Sequence, residues 1–372
     1  MGGAAGGGPR SRPGPHADRT RQAPGLRGCR WPAEWEPHRA TWLSWPHNPE
    51  TWPDLLPSVE DAFCEIVRAL LPGEAVEIHV ADAAMASRVR ARLAGAGIER
   101  LDLVRLHEVP TDDAWIRDHG GIFVLGPRGA EAPLELIDFE FDSWGGKYPP
   151  WDHDAAVPAA MAAVRGVPCF EAGFVLEGGA IEGDGEGTIL TTESCLLNPN
   201  RDRPGLDRSK ANLERWLAEI LGARKVLWLA DGIEGDDTDG HIDDLTRFVA
   251  PGRVVTVVEN EPTDPNHAIL ESNRRRLEGM SDAAGRRLEV IPLPSPGRIL
   301  GSGGRLPASY ANFYLANEGV LLPVFDVEAD REAIRVLEAC LPDRPVLPIP
   351  ARALVHGLGT IHCLTQQEPA PA

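Results

Sequence analysis

The sequence lacks the features that mark membrane proteins and disulfide-rich secreted proteins. No run of about 18 apolar residues occurs, so no segment is predicted to span a membrane. The N-terminal stretch has no apolar core of the kind found in a secretory signal. Six cysteines are scattered over 372 residues without a C-x-x-C pair, which argues against a disulfide framework and a structural zinc site. We therefore expect reduced thiols and a cytoplasmic protein.

Positive charge is also scarce. The chain has 37 Lys+Arg against 56 Asp+Glu, a formal net charge of −19. Residues 1–30 hold six Arg and one Asp, so the remainder carries a net charge of −24. Binding of nucleic acid needs an extended basic face, and we therefore expect no nucleic-acid partner. An acidic body favours a cationic ligand, although acidic surfaces commonly serve only solubility.

The N-terminus differs in composition from the rest of the chain. Residues 1–30 contain eight Gly, four Pro and almost no large apolar side chain. Such a segment cannot offset the entropy lost on ordering, so we predict a disordered basic tail over 1–30. Whether this tail is genuine or reflects a start codon placed too far upstream stays open. We predict one catalytic domain over 31–369.

The body alternates short apolar runs with helical patterns, which is typical of the α/β class. Helices are predicted over 58–71, 83–93, 209–221, 268–278 and 328–340. Hairpin turns are predicted at Asp184-Gly185 and Pro251-Gly252. A unit of strand, hairpin and helix recurs about five times without a matching repeat of residues, so any internal symmetry is structural.

Four polar segments lie beside predicted strands, where catalytic loops commonly sit on a rigid scaffold. These segments are 111–121 (TDDAWIRDHGG), 175–179 (VLEGG), 235–244 (GDDTDGHIDD) and 356–367 (HGLGTIHCLTQQ). Together they supply several carboxylates, histidines and one cysteine.

The last segment contains a candidate nucleophile. Cys363 follows a polar turn with two glycines, an environment that favours reactivity more than an apolar helix stripe does. A buried structural cysteine is the alternative. His362 is adjacent to Cys363, and neighbouring side chains on an extended chain face opposite ways. We therefore do not expect His362 to be the partner base.

The 235–244 segment offers a proton shuttle. His241 and Asp243 are two residues apart and face the same way on an extended chain. A histidine beside carboxylates transfers protons near neutral pH, and Asp237 belongs to the same loop. A solvated acidic loop and a zinc site at His241 remain alternatives.

The other two segments suit a planar cation. Trp115 and Asp118 combine an aromatic face with a carboxylate, which favours stacking and paired hydrogen bonds to such a group. Glu177 follows the apolar residues FVL, and a carboxylate at a buried strand end usually has a partner or a function.

In their order along the chain, these segments resemble the agmatine deiminase family, relatives of the bacterial-type peptidylarginine deiminases. The similar strings are WPAEWEPHRATWLSWP (31–46), DDAWIRDHGG (112–121), SWGGKYPPWD (143–152), LEGGAIEGDGEGTILTTESCLLNPNRD (176–202), DDTDGHID (236–243), SYANFYLANEGVLLPVFD (309–326) and IHCLTQQ (361–367). The resemblance covers about 31–369. It implies the pentein fold, a five-bladed α/β propeller of ββαβ units with pseudo-fivefold symmetry around a central site.

The resemblance also implies roles for individual residues. The catalytic residues would be Cys363 as nucleophile, His241 as general acid and base, and Asp118 and Asp243 as guanidinium ligands. Trp115, Glu177 and Asp237 would bind the substrate. The implied reaction is hydrolysis of agmatine to N-carbamoylputrescine and ammonia through a covalent Cys thiouronium, a step of putrescine biosynthesis. It needs no metal and no organic cofactor, and the family suggests a homodimer.

Departures from the family pattern concern the enclosure of the substrate. Leu358 and Thr360 stand where glycine and asparagine are common, His119 stands where threonine is usual, and the 143–152 insert is short. Free or peptidyl arginine therefore remains an alternative substrate, and a non-catalytic ligand-binding protein is a further alternative. Carboxylates around the remainder of the pocket would favour the amine of agmatine. Free basic side chains there, from Lys147, Arg201 or Arg203, would favour the α-carboxylate of arginine.

Overall fold

Helix formation follows the spacing of apolar residues along the chain. The computed structural model describes residues 22–371, and it contains all five helices predicted from that spacing, with ends shifted by no more than three residues. In the first of them, Val59, Phe63, Ile66 and Leu70 lie on one buried face. This face packs on the sheet beneath it.

The elements form five units in chain order. The first comprises β1 (His38–Ser44), α1 (Leu56–Leu70), β2 (Ala75–Val80), α2 (Ala83–Gly95) and β3 (Val104–Glu108). The second comprises α3 (Ile116–His119), β4 (Ile122–Leu125), β5 (Leu134–Glu140), α4 (Ser143–Gly146), α5 (Val157–Arg165) and β6 (Cys169–Val175). The third comprises β7 (Glu182–Gly183), β8 (Thr188–Thr192), α6 (Glu193–Leu196), α7 (Lys210–Leu221) and β9 (Lys225–Leu229).

The fourth unit comprises β10 (Thr246–Ala250), β11 (Arg253–Val258), α8 (Pro265–Glu278) and β12 (Glu289–Pro294), and a small hairpin of β13 (Leu300–Gly301) and β14 (Gly304–Arg305) follows it. The fifth comprises β15 (Tyr314–Ala316), β16 (Gly319–Val324), α9 (Asp330–Cys340) and β17 (Val346–Pro350), and the last strand is β18 (Gln366–Pro369).

The five units share three strands in the same order, and the first unit adds a fourth strand, β3, parallel to β2. In units two to five, the first strand is antiparallel to the second, and a helical crossover leads to a third strand that is parallel to the second. In the first unit β18 takes the antiparallel position beside β1, with Gln366 opposite Trp42. The C-terminal strand therefore completes the sheet that the N-terminal strand begins. The predicted pentein topology of five ββαβ units is present.

The predicted hairpin turns are both confirmed. Asp184-Gly185 joins β7 to β8, and Pro251-Gly252 joins β10 to β11. Gly185 has φ +71° and Gly252 has φ +74°, the left-handed conformation that glycine adopts without steric cost.

Apolar side chains pack between the helices and the sheets, but the middle of the molecule is polar. Glu34, Arg117, Asp243 and Arg247 are all buried there, and they come from units two and four, from the turn before β10 and from the segment before β1. Buried charges are tolerated only when they are paired, so this region is held by specific ion pairs and hydrogen bonds.

The predicted tail boundary at residue 30 is wrong. Residues 25–27 form a 3-10 helix, Cys29 is buried, and Arg30 exchanges backbone hydrogen bonds with Leu125 at 2.9 Å. Arg27 also pairs with Glu135. These contacts stabilise 22–30 despite its small apolar content, whereas 1–21 lies outside the described residues. Within the described part of the chain, no helix is long and apolar enough to cross a membrane.

Candidate active site

Loops from several units meet around a cavity of about 760 Å³. Its wall is formed by residues of the segments 47–51, 111–118, 143–154, 237–238 and 356–363. Of the predicted site residues, Cys363, Asp118, Trp115 and Asp237 line the cavity. His241, Asp243 and Glu177 are buried and do not line it.

Cys363 sits in the turn after Ile361, and Asn312 holds it there. Asn312 Nδ2 lies 3.1 Å from Cys363 Sγ, and its Oδ1 accepts hydrogen bonds from Thr360 Oγ1 at 2.7 Å and from the backbone of His362 at 3.1 Å. Asn312 therefore fixes both the thiol and the loop that carries it. Sequence reasoning missed this residue, although it lies in the family-like segment 309–326.

The surroundings of Cys363 favour the neutral thiol over the thiolate. Burial, together with the negative charges of Asp243, Asp244 and Asp118, raises its pKa well above the usual value, and the hydrogen bond from Asn312 opposes this shift. Asp243 Oδ2 lies 3.7 Å from the sulfur. A cation bound among these carboxylates would offset their charge and make the thiolate easier to form.

Asp118 is placed at the end of α3 by two donors. Its Oδ1 accepts from Gly179 N at 2.9 Å, and its Oδ2 accepts from Trp144 Nε1 at 3.1 Å. Burial raises the pKa of Asp118 to about 6, although the nearby His241 opposes the shift. The carboxylate is therefore ionised at neutral pH and exposed to the cavity.

His241, Asp118 and Asp243 converge around Gly179. His241 Nδ1 lies 3.7 Å from Asp118 Oδ1. A Cβ at position 179 would come within 2.6 Å of His241 Nδ1, 2.7 Å of Asp118 Oδ1 and 3.1 Å of Asp243 Oδ2. Only glycine lets the three polar groups approach each other so closely. This explains why position 179 is a glycine.

The charge of His241 depends on its neighbours. Burial opposes protonation, but Asp118, Cys195 and Asp243 outweigh it and hold the pKa of His241 well above the usual value. Neither ring nitrogen has a hydrogen-bond partner within the described residues. The ring is therefore available to exchange a proton with a bound molecule.

Asp243 follows in the short 3-10 turn after His241. Its Oδ2 accepts from His362 Nδ1 at 2.7 Å, and its buried Oδ1 has no partner among the described residues. Burial raises the pKa of Asp243, but His362 and His241 outweigh it, so the net shift is downward. The ring of His362 contacts Asp243 and Glu34, and that it is not the base for the thiol stays a prediction.

Trp115 forms an aromatic wall. Its ring lies 5.2 Å from that of Trp52, and Cβ atoms at Gly357 and Gly359 would approach it within 2.8 Å and 2.6 Å. A Cβ at Gly359 would also lie 3.2 Å from Cys363 Sγ. The two glycines thus leave room between the indole and the thiol.

Glu177 pairs with Arg201 behind the cavity wall, and its contact with substrate stays a prediction. It was expected to bind substrate, but its fully buried carboxylate accepts from Arg201 Nε at 2.9 and 3.0 Å and does not line the cavity. Within the described residues, Glu177, Cys195 and His241 are the one group of three metal-ligand side chains whose ligand atoms lie within 4.8 Å of one another. Because Arg201 already occupies both oxygens of Glu177, this group is better suited to support His241 than to bind a cation.

The other basic residues are also paired. Asp237 accepts a hydrogen bond from Tyr148, and Lys147 donates to the Asp237 carbonyl and to Asp239 Oδ1 at 2.9 Å. Arg203 donates to Asp142 Oδ2 at 2.8 Å and is absent from the cavity wall.

Two carboxylates on the cavity wall were missed from the sequence. Burial raises the pKa of Asp113 to about 6 and that of Asp154 to about 7. No basic side chain pairs closely with either of them among the described residues; the nearest contact is His119 Nε2, 3.9 Å from Asp154. The sequence shows two adjacent acidic residues at 112–113. It does not show that they lie near Asp154, because that proximity arises only in the folded chain.

Comparisons with known proteins agree with this geometry. The model of the Porphyromonas-type peptidyl-arginine deiminase family matches residues 30–369. An agmatine deiminase from Ectopseudomonas mendocina is 39% identical over 367 residues, covering 92% of this chain and 96% of that protein.

Solved structures give the same result. The agmatine deiminase of Enterococcus faecalis is 33% identical with a TM-score of 0.87, covering 95% of this chain and 99% of that one. A cysteine-to-serine variant of C. jejuni agmatine deiminase with substrate bound is 27% identical with a TM-score of 0.82, covering 92% and 97%. These similarities confirm the expected fold. The chain belongs to the Porphyromonas-type peptidyl-arginine deiminase family.

Proposed function

We propose that this protein is an agmatine deiminase, a hydrolase that converts agmatine and water to N-carbamoylputrescine and ammonia. The observation that carries the proposal is the convergence of one thiol, one histidine and two carboxylates. Cys363 and Asp118 line one cavity, and His241 and Asp243 lie directly behind its wall. Paired carboxylates orient a guanidinium, and a thiol beside them is placed to attack its central carbon.

Binding of the guanidinium prepares both reacting groups. Its positive charge, shared by Asp118 and Asp243, offsets the repulsion that keeps the pKa of Cys363 high. The carboxylates of Asp118 and Asp243 also raise the pKa of His241. When the guanidinium shares their charge, the pKa of the imidazole falls back towards its usual value. The thiol can then pass its proton to His241.

The first half-reaction forms the covalent intermediate. The sulfur of Cys363 bonds to the guanidinium carbon, and His241 delivers the proton to one amino group. The bond from carbon to that nitrogen breaks, ammonia leaves, and a positively charged thiouronium remains on Cys363. Asp118 and Asp243 stabilise the positive charge during both steps.

The second half-reaction releases the ureido product. His241, now neutral, takes a proton from water as the water oxygen bonds to the same carbon. The hydroxyl proton passes to solvent as the carbonyl forms and the bond from carbon to sulfur breaks, and His241 returns its proton to the sulfur to restore the thiol of Cys363. One water is consumed and one ammonia is released in each cycle.

The remainder of the cavity wall favours agmatine over arginine. Asp113 and Asp154 supply negative charge suited to the ammonium group of agmatine. Among residues 22–371 no arginine lines the cavity, and Lys147 is engaged by Asp237 and Asp239. The α-carboxylate of arginine would therefore meet carboxylates without a free guanidinium to bind it. Relatives named agmatine deiminase support this choice.

Agmatine turnover by the purified protein tests the proposal. We expect equal amounts of ammonia and N-carbamoylputrescine from wild type and none from Cys363→Ala. Cys340→Ala, which removes a buried thiol on α9 remote from the cavity, should retain turnover. Activity in Cys363→Ala, or no turnover by wild type, would overturn the proposal.

A cytoplasmic location and a homodimer also remain proposals. No disulfide forms among residues 22–371, which agrees with a reducing compartment. Cell fractionation tests the location, and size-exclusion chromatography with light scattering tests the oligomeric state.

A further inference from the structure

Arg117 is a buried arginine on the short helix α3, which also carries Asp118. Asp118 lines the cavity, whereas Arg117 is 2% exposed and does not line it. Burying a guanidinium costs free energy unless its N–H groups find acceptors. Because the reaction described above gives Arg117 no part, the acceptors that it binds indicate its role.

The donors of Arg117 converge on the C-terminal segment that contains the nucleophile. Its backbone N donates to Cys363 O at 3.1 Å, and its Nε donates to His362 O at 3.3 Å. Its Nη1 donates to Gln366 Oε1 and to Gln367 Oε1, both at 2.7 Å. Four hydrogen bonds thus join one residue of unit two to the turn that carries the thiol and to the first residues of β18.

The shape of the Arg117 side chain explains these contacts better than its charge does. Its carboxylate partner, Glu34 Oε2, lies 3.4 Å from Nη2, which is longer than the two bonds to glutamine oxygens. A guanidinium carries five N–H donors in a planar fork and can therefore hold several neutral oxygens at once. A lysine would keep the positive charge, but its single nitrogen could not reach all of these acceptors.

The turn is held from its other side by Asn312. The Asn312 side chain contacts Cys363 Sγ and accepts from His362 N, each at 3.1 Å. Arg117 instead binds the carbonyl oxygens of His362 and Cys363, which are buried and need donors. The thiol is therefore located by one side chain from unit two and one from the segment that leads into unit five.

We propose that Arg117 is a positioning residue that fixes Cys363 relative to Asp118. The two residues at 117 and 118 are joined by one peptide bond, and Gly178 packs against this part of the chain so closely that a Cβ there would lie 2.2 Å from Arg117 O. The sulfur and the carboxylate that binds the guanidinium are thus tied together through Arg117. A displacement of about 1 Å between reacting groups can lower a rate about 100-fold.

The role in catalysis rests on the proposed function, and steady-state kinetics of Arg117→Lys with agmatine tests it. We expect kcat to fall about 10- to 100-fold, because the sulfur shifts relative to the guanidinium carbon. KM should change less than about 3-fold, because Arg117 does not line the cavity. An unchanged kcat, or a rise in KM at constant kcat, would overturn the proposal.

Hydrogen–deuterium exchange tests the positioning without any turnover. In Arg117→Lys we expect the amides of 360–367 to exchange at least about 10-fold faster than in wild type, with exchange outside 112–121 and 360–367 unchanged. Unchanged exchange at 360–367, or faster exchange over the whole chain, would contradict a positioning role. If wild type does not turn over agmatine, the proposed function fails, and exchange still decides whether Arg117 holds the turn.

Arg305→Lys is the matched control. The Arg305 side chain is 3% exposed, donates to Asp264 Oδ1 at 2.6 Å and to Gly297 O at 3.3 Å, and does not line the cavity. We expect wild-type kcat and wild-type exchange at 360–367 in this variant. The same loss of kcat in both variants would contradict the role assigned to Arg117.

Gln367→Met serves if Arg117→Lys does not fold. It removes one acceptor of the Arg117 guanidinium and leaves the arginine in place. We expect kcat to fall about 3- to 10-fold, as the loss of one hydrogen bond allows, with faster exchange at 360–367. Unchanged kcat and unchanged exchange in Gln367→Met would then overturn the proposal.

Discussion

Asp118 shows how single residues of the site depend on their immediate donors. Its carboxylate is buried and lies near other acidic groups, yet it must be ionised to bind a cation. Gly179 N and Trp144 Nε1 each donate to one of its oxygens and stabilise the ionised form. The pKa of about 6 therefore predicts that kcat/KM for agmatine falls as pH drops through about 6, because kcat/KM reports the free enzyme.

Trp144→Phe tests this dependence. The change keeps an aromatic side chain, although a smaller one, and removes the N–H donor, so the pKa of Asp118 should rise. A hydrogen bond of about 0.5–1.5 kcal/mol corresponds to a shift of up to about one pH unit. We expect the acid limb of the kcat/KM profile to move upwards by that amount. Trp228→Phe removes a comparable bond to Glu214 at 2.9 Å away from the site and should leave the limb in place; an unmoved limb in Trp144→Phe would contradict the account.

The carboxylate of Asp154 should strengthen agmatine binding and lower the free energy of unfolding. Burial raises its pKa to about 7, so the carboxylate destabilises the fold increasingly as pH rises from its unfolded value near 4 through 7. Asp154→Asn should therefore raise the Tm at pH 8, with the difference vanishing near pH 4, and should raise KM for agmatine.

Asp138→Asn is the matched variant for that experiment. Burial also raises the pKa of Asp138 to about 7, but Asp138 does not line the cavity. It should give the same kind of Tm gain at pH 8 with no change in KM. An unchanged KM in Asp154→Asn would show that Asp154 does not contact the substrate.

At the scale of elements, the segment around α4 encloses the cavity in an unusual backbone conformation. Ser143, Trp144, Gly145 and Gly146 all have positive φ, at 56°, 56°, 88° and 80°. Such angles in serine and tryptophan cost free energy and persist when surrounding contacts enforce them. The contacts are the hydrogen bond from Gly145 N to Asp142 at 2.8 Å and the bonds of residues 147–148 to the 237–239 loop.

Removing the anchors of this segment should weaken substrate binding more than chemistry. In the double variant Lys147→Ala with Tyr148→Phe, we expect KM for agmatine to rise about 10-fold, because three hydrogen bonds to the 237–239 loop are lost, while kcat changes little. Steady-state kinetics measures both values. Lys210→Ala removes an exposed lysine that pairs with Glu193 and serves as a control. A fall in kcat at constant KM would contradict an enclosing role.

At the scale of the whole molecule, all proposed catalytic and positioning residues lie between 34 and 363, whereas 22–30 supports the fold. Deletion of 1–21 should leave kcat, KM and Tm unchanged. Deletion of 1–30 should lower the Tm, because it removes the buried Cys29 and the pairing of Arg27 with Glu135, at a cost of at least about 1 kcal/mol. Thermal unfolding of both truncated proteins distinguishes the two boundaries. Equal Tm values for the two truncated proteins would show that residues 22–30 do not stabilise the fold, as the predicted tail boundary at residue 30 requires.

Sequence patterns predicted the elements well because helices and hairpins are encoded locally. The spacing of apolar residues predicted α1, and the turns that contain glycine predicted both hairpins. Cys363 and Asp118 could be identified because each lies in a distinctive local segment. Asn312, the contact of Glu34 with His362 and the pairing of Glu177 with Arg201 could not, because these residues meet only in the folded chain.

The identity of the substrate is tested most directly by competition between guanidino compounds. We would measure kcat/KM of wild type for agmatine, free arginine and an arginyl peptide under the same conditions at pH 8. The acidic cavity wall predicts a preference for agmatine of at least about 100-fold, since the α-carboxylate of free arginine meets like charge there and an arginine within a peptide lacks the terminal ammonium. Equal or higher kcat/KM for arginine or the peptide would contradict the account.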